Sequence, residues 1–224
     1  MKISYLITVH NEVDELTRLL QQLYAAVEHT DDEIVILDDF SDDERTKKIL
    51  LLHATFSTSS CGGVVIQHKL DGDFATHKNY GSKRCTGDYI VQLDADEYLS
   101  PELLTHLREM IVANPTVELF RVPRVNTVKG LTPEDARQWG WSVDWSQPEP
   151  VVNFPDYQSR IYKNSLKVQW KKKLHETIFG AEWVADIPPH PELSIIHPKT
   201  IERQRAQNEF YNKNWSLQAN MGQG

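Results

Sequence analysis

The stretch "YIVQLDADEYLSP", residues 89–101, starts as a buried strand and ends in clustered acid. Tyr89, Ile90, Val91 and Leu93 form an apolar run. Asp94, Asp96 and Glu97 follow, with only Ala95 between the aspartates. Like charges so close repel, and burying them is costly unless a cation compensates. Side chains alternate along a strand, so extended backbone through Ala95 would aim the Asp94 and Asp96 carboxylates at one point. A hard divalent cation suits such a pair, because it takes oxygen ligands and is shared between one or two carboxylates and substrate phosphates. The plainer alternative is an acidic loop capping the next helix, which Ser100 and Pro101 open well.

The surrounding chain places this acidic knot. "ISYLITV" (3–9), "EIVILDD" (33–39), "GVVIQH" (63–68) and "VELFRVPRV" (117–125) read as further strands, near-continuously apolar as in a sheet covered on both faces. Between them, Val13, Leu16, Leu19, Leu20, Leu23 and Val27 recur at helical spacing behind Asn11 as cap. "SDDERTKKILLLHAT" starts with a Ser cap, "FATHKNYGSKRC" reads as a helix, and "SPELLTHLREMIVAN" carries Leu103, Leu104, Leu107 and Ile111 on one face. Alternation to residue 125 predicts an α/β fold: a mostly parallel sheet with helices on both faces. Ligands of such sheets bind beyond the carboxyl ends of the strands. Thr8, His10 and Asn11 follow strand one, Asp38 and Asp39 close strand two, and Asp94 and Asp96 close strand four.

Past residue 125 the pattern breaks. Residues 126–155 show no period and carry Trp139, Trp141 and Trp145, so they predict an aperiodic loop that acts as a lid or an aromatic platform. "YQSRIYK" and "LKVQWKKKLHETIF" predict antiparallel strands around an Asn164-Ser165 turn. "ELSIIH" (192–197) predicts a short strand, and residues 200–215 a terminal helix before a tail. The expected division is an α/β half (1–125), a second half with the loop 126–155 (126–198), and a helix with tail (199–224).

The 224 residues suit one sizeable domain, and no run of eighteen apolar residues exists. Two cysteines, Cys61 and Cys85, and the lack of an export signal predict reduced thiols and a cytoplasmic protein, in which the Asn214-Trp215-Ser216 sequon carries no meaning. A formal net charge of −8 argues against general nucleic-acid binding. It also requires local cations around any phosphate-bearing ligand.

"ISYLITVHNE", "EIVILDDFSDD" and "FATHKNYGSKRCTGDYIVQLDADEYLSPELL" together resemble the family 2 nucleotide-sugar glycosyltransferases, which have the GT-A fold, a Rossmann-like sheet. "PDYQSRIYKN", "KKLHETI" and "SIIHP" are similar to the subgroup of lipopolysaccharide-core β-glucosyltransferases. The resemblance implies an inverting, metal-dependent hexosyltransferase using a UDP-sugar, glucose being favoured, with Mn2+ or Mg2+. It implies base contacts from Thr8 and Asp39, a donor and metal motif at Asp94-Ala95-Asp96, and a donor-side pair at Lys78 and Asn79. His10 and Asn11 sit beside these. Phe40 stands where the family usually has Gly, which predicts a different turn there. Lys78 replaces the usual Arg, a point charge in place of a fork.

Direct displacement at the sugar carbon needs a base for the acceptor hydroxyl. Glu176 is the first choice and Asp156 the runner-up. His197 is a metal candidate; His175 is a weaker one, on the acceptor side. Lys171, Lys172 and Lys173 either offset a diphosphate or form a solvated face. A nucleotidyltransferase or a dinucleotide oxidoreductase would want glycines after strand one, and "TVHNEVDE" has none. A noncatalytic sugar-nucleotide-binding module remains an alternative, as does transfer to a base hydroxyl of DNA, which the charge disfavours. The acceptor is a carbohydrate or another hydroxyl compound.

Overall fold

The computed structural model describes residues 1–56 and 63–214. Cys61, the end of the sequon and the tail lie outside them. The apolar runs become β1 (Ile3–Val9), β2 (Glu33–Asp38), β3 (Gly63–Gln67) and β4 (Tyr89–Asp94), parallel in the order β3-β2-β1-β4. Alternation divides their side chains. Ile3, Tyr5, Ile7, Ile34, Ile36, Val91 and Leu93 pack against α1 (Val13–Val27) and α4 (Pro101–Ala113). Leu6, Val35, Leu37 and Ile90 face the opposite side, with Ala75 of α3 (Phe74–Ser82). α3 lies so close that a Cβ on Gly81 would stand 2.8 Å from a Leu6 methyl. The expected sheet with helices on both faces is therefore the one found.

Local caps differ from expectation. Asn11 has φ 60 and does not cap α1; Glu12 holds the N-cap position. The Asn11 carboxamide instead accepts from the Asp42 and Asp43 amides at 2.9 Å each, tying the β1 loop to the β2 loop. Asp43, not Ser41, caps α2 (Glu44–Phe56) by accepting from Thr46 N at 2.7 Å. Phe40 adopts φ 50, so the turn keeps the left-handed backbone a glycine would supply, at a cost of about 1–2 kcal/mol.

The second half completes the sheet. β5 (Tyr98–Leu99), β6 (Leu119–Lys129), β8 (Val151–Lys163) and β12 (Ile195–Thr200) extend it as β4-β8-β6-β12-β5, with β8 antiparallel to both neighbours. β6 runs across residue 125, so the expected division falls inside a strand. β9 (Gln169–Lys171) and β10 (Thr177–Phe179) pair with each other rather than hairpinning with β8 at Asn164-Ser165. That small sheet is glued by Trp170 and Ile178 to the core on the α3 side.

Residues 126–155 are not an aperiodic loop. They hold the end of β6, α5 (Pro133–Trp139), β7 (Val143–Asp144) and the start of β8. Thr132 and Asp135 form a capping box, and Gly140 ends α5 at φ 67. A second core of Val128, Leu131, Ala136 and Val152 is closed by Ile201 from α6 (Ile201–Asn214), with Trp139 and Trp141 packed against it. Elements of two to seven residues are too short to show a period, and their core is completed only by a distant helix. β11 (Val184–Asp186) pairs with β6. No described helix is long and apolar enough to cross a membrane.

Candidate active site

A cleft of about 930 Å³ opens at the carboxyl ends of β1 and β4. It gathers Thr8, His10, Asp39, Lys78, Asp94, Asp96, Asp156, His175, Glu176 and His197. Asn11, Asn79, Ala95, Trp139, Trp141 and Trp145 do not line it. Asn79 clamps β9, donating to Trp170 O and accepting from Trp170 N at 2.9 Å each. Ala95 is buried and its amide donates to Thr8 O at 3.0 Å. Trp139 and Trp141 pack together beside the cleft, while Trp145 is 46% exposed. Lys171, Lys172 and Lys173 are exposed and form a solvated face.

The acidic knot is resolved by two arginines the sequence reading overlooked. β4 ends at Asp94 and residues 95–96 turn, so strand alternation does not carry through to Asp96. Asp94 Oδ2 accepts from Arg160 at 2.7 Å, and Oδ1 from Thr8 Oγ1 at 2.7 Å. Glu97 is fully buried, and its Oε1 accepts from Arg160 at 2.7 Å and Arg124 at 2.8 Å. Arg124 in turn forks onto Asp156 Oδ2 at 2.7 and 3.0 Å. Burial opposes the charge on Asp94, but Arg160 and Lys78 override it and hold Asp94 well below the usual carboxylate range. Removing one partner of a buried ion set leaves the others uncompensated. Arg160→Met is expected to lower stability by about 3–5 kcal/mol in urea unfolding. A loss under about 1 kcal/mol would show that the set is not held by this guanidinium.

Asp96 faces a different partner. Its Oδ2 lies 3.2 Å from His197 Nε2. His197 Nδ1 lies 2.8 Å from Asn126 Oδ1, while Asn126 Nδ2 donates to Asp156 at 2.9 Å. That chain fixes the Asn126 amide and puts the proton of a neutral imidazole on Nδ1. Burial lowers the His197 pKa, so near neutral pH its Nε2 lone pair faces a carboxylate. Asp96 itself is held at about 2: burial opposes its charge, but His197 and nearby Lys199 outweigh it. Two lone-pair groups facing one another, one oriented from behind through Asn126, fit a divalent cation. No cluster of three or more His, Cys, Asp or Glu ligands exists among the described residues. An ion here would therefore complete its shell with phosphate and water oxygens, as Mg2+ does.

The rest of the cleft is strongly polarised. Lys78 Nζ donates to Glu176 Oε1 at 2.6 Å and lies 3.6 Å from Asp94. Arg203 of α6 reaches Glu12, Glu15 at 2.8 Å and Asp96 at 3.3 Å. Burial and Asp96 push the Glu12 carboxyl up to about 7, against Arg203. Glu12, Arg124, Arg160, Lys199 and Arg203 were not singled out from sequence; the one visible signal was an arginine inside each of two apolar strands. These cations supply the local compensation that the net charge of −8 demands.

His77 lies buried beside Lys78, and burial lowers its pKa to about 4. The unfolded chain protonates this imidazole near pH 6.5 and the folded one does not. The stability it contributes is thus full above about 6.5 and lost as pH falls towards 4, on the order of 3 kcal/mol. His77→Asn is expected to flatten the acid limb of stability against pH. An unchanged slope between pH 6.5 and 4 would contradict a neutral His77.

An undecaprenyl-phosphate 4-deoxy-4-formamido-L-arabinose transferase of Sodalis glossinidius is 31% identical over 113 residues, covering 49% of this chain and 33% of that protein. A dolichol-phosphate mannosyltransferase of Pyrococcus furiosus is 30% identical over 111 residues, covering 50% and 30%. A TPR repeat-containing protein of Synechococcus elongatus is 27% identical over 177 residues, covering 79% and 35%. The chain spans about a third of the length of these curated relatives. The structure of S. aureus TarS 1–349 with UDP-GlcNAc superimposes with a TM-score of 0.56 at 18% identity, covering 89% of this chain and 59% of that one, which shows a shared GT-A fold. A model of Glycosyl transferase family 2 matches residues 4–181, and the chain belongs to that family.

Proposed function

We propose that the chain is an inverting, metal-dependent hexosyltransferase moving glucose from a UDP-sugar to a hydroxyl acceptor. The observation that carries this reading is one cleft holding Thr8, Asp39, Lys78 and Asp94 together with the Asp96–His197 pair. TarS carries UDP-GlcNAc in the structure it shares a fold with, which supports a nucleotide-sugar donor. The finer choice of glucose rests on "PDYQSRIYKN", "KKLHETI" and "SIIHP".

The reaction breaks the bond from sugar C1 to the diphosphate through an oxocarbenium-like transition state, and negative charge grows on the leaving group. A divalent ion held by Asp96 and His197 would act there as a Lewis acid. Lys199 and Arg203 line the same region and add positive charge towards the departing phosphates. Glu176 takes the acceptor proton. It accepts from Lys78 at Oε1, which leaves Oε2 for the acceptor hydroxyl. Asp156 is a poorer base: Arg124, Asn126 and Gln158 occupy both of its oxygens, and despite burial Arg124 holds its pKa down.

Thermal-shift titration of nucleotides with and without Mn2+ tests the donor reading. UDP with Mn2+ is expected to stabilise the fold by about 2.7 kcal/mol at one hundred times its Kd, and other nucleotides at that same concentration by less. Equal shifts for all nucleotides, or none, would overturn it.

A further inference from the structure

We propose that a smaller cavity beside the cleft seats the pyranose ring of a saccharide acceptor, with Trp141 as its platform. The inference rests on the donor reading above and names the acceptor class. The cavity holds about 240 Å³ and shares the wall formed by Arg124, Asp156 and His197 with the main cleft. A ring seated in it lies against Asp156 and His197, which also face the main cleft.

Its chemistry suits a neutral polyol. Beyond the shared wall it is lined by the Trp141 indole, the Asn153 and Gln204 carboxamides and the Thr127 hydroxyl. Carboxamides and hydroxyls both donate and accept, as sugar hydroxyls do, and an indole face packs against the C–H face of a pyranose. Arg124 in its wall is ion-paired with Asp156 and Glu97, and Lys199, which also lines the donor cleft, bonds to Gln207 at 2.7 Å. A lipid phosphate would need open cations and a long apolar groove. The apolar lining here is limited to Trp141, Val128 and Val152.

Trp141 is held in place before any ligand arrives. Its amide donates to Ala136 O at 2.9 Å, and its ring packs on Trp139 with centroids 4.8 Å apart. Ser142 and Asn153 are cross-bonded, Asn153 N to Ser142 O at 2.8 Å and Ser142 N to Asn153 Oδ1 at 2.9 Å. Asn153 adopts φ 52 where the β6–β8 register shifts between Arg124 and Asn126. Such bulges often re-aim side chains beside sites.

Saturation-transfer NMR on the full chain tests this, with methyl β-D-glucopyranoside, methyl β-D-galactopyranoside and methyl α-D-mannopyranoside as probes and farnesyl phosphate as the lipid-phosphate arm. At least one glycoside is expected to receive saturation, to keep it with UDP and Mg2+ present, and to lose it at least fivefold in Trp141→Ala but not in Trp141→Phe. The thermal unfolding of both variants checks that they fold. Displacement of the glycosides by UDP, indifference to Trp141→Ala, signal from farnesyl phosphate alone, or no signal from any probe would each overturn the cavity assignment. A missing UDP–Mg2+ thermal shift would overturn the donor reading and leave the glycoside result to be judged by itself.

Discussion

Asp96→Asn is expected to keep the fold and lose Mn2+-assisted nucleotide uptake, with transfer falling by about 10²–10³-fold, as when one preorganised stabilising group is removed. The amide preserves the size of the side chain beside His197, so the loss reports charge and ligand chemistry rather than packing. A second readout is independent of nucleotide. Asp96 is one cause of the raised Glu12 pKa, after burial. Neutralising it should bring the Glu12 midpoint down from about 7, as followed by carboxyl 13C shifts. Calorimetry that found manganese-dependent uptake undiminished in the variant would remove the basis for metal-assisted transfer here.

Glu176→Gln is expected to leave donor binding within twofold of wild type while transfer drops by at least ~10²-fold, the usual size of lost acid–base help. The substitution also takes a carboxylate from Lys78, which retains Asp94 at 3.6 Å. Asp156→Asn provides the contrast. It leaves Arg124 bonded to Glu97 but facing a neutral amide in place of its second carboxylate, so stability should suffer more than turnover. If Asp156→Asn lost more turnover than Glu176→Gln at equal folded fraction, the two carboxylates would exchange roles.

The parallel half of the fold was legible because its signals are local. Ile3 to Val9 and Tyr89 to Leu93 are apolar runs of strand length, and Ser100-Pro101 opens a helix in the expected way. The carboxyl-end rule then brings Thr8, Asp39 and Asp94 to one edge of the sheet. What failed was non-local. Arg160 lies 66 residues from Asp94 in the chain, so no pattern around the acidic knot could show its counter-ion. The apparent loop at 126–155 became order only through Ile201, on a helix whose own stripe is weak. Phe40 misled in the opposite direction, since its aromatic side chain argued against a left-handed turn that the backbone adopts anyway.

Helix α6 does two jobs with neighbouring residues. Ile201 plugs the core beneath the tryptophans, and Arg203 extends a guanidinium across to Asp96 and α1. Severing the polypeptide after Thr200 would thus strike both halves of the molecule at once: the indole shelf would slacken, and an acidic corner by the cleft would be left without its nearest counter-charge. Sugar acceptance and ion affinity should then decline together: Gln204 leaves the sugar cavity with the helix, while Trp141, Asp96 and His197 stay in the chain but lose their support.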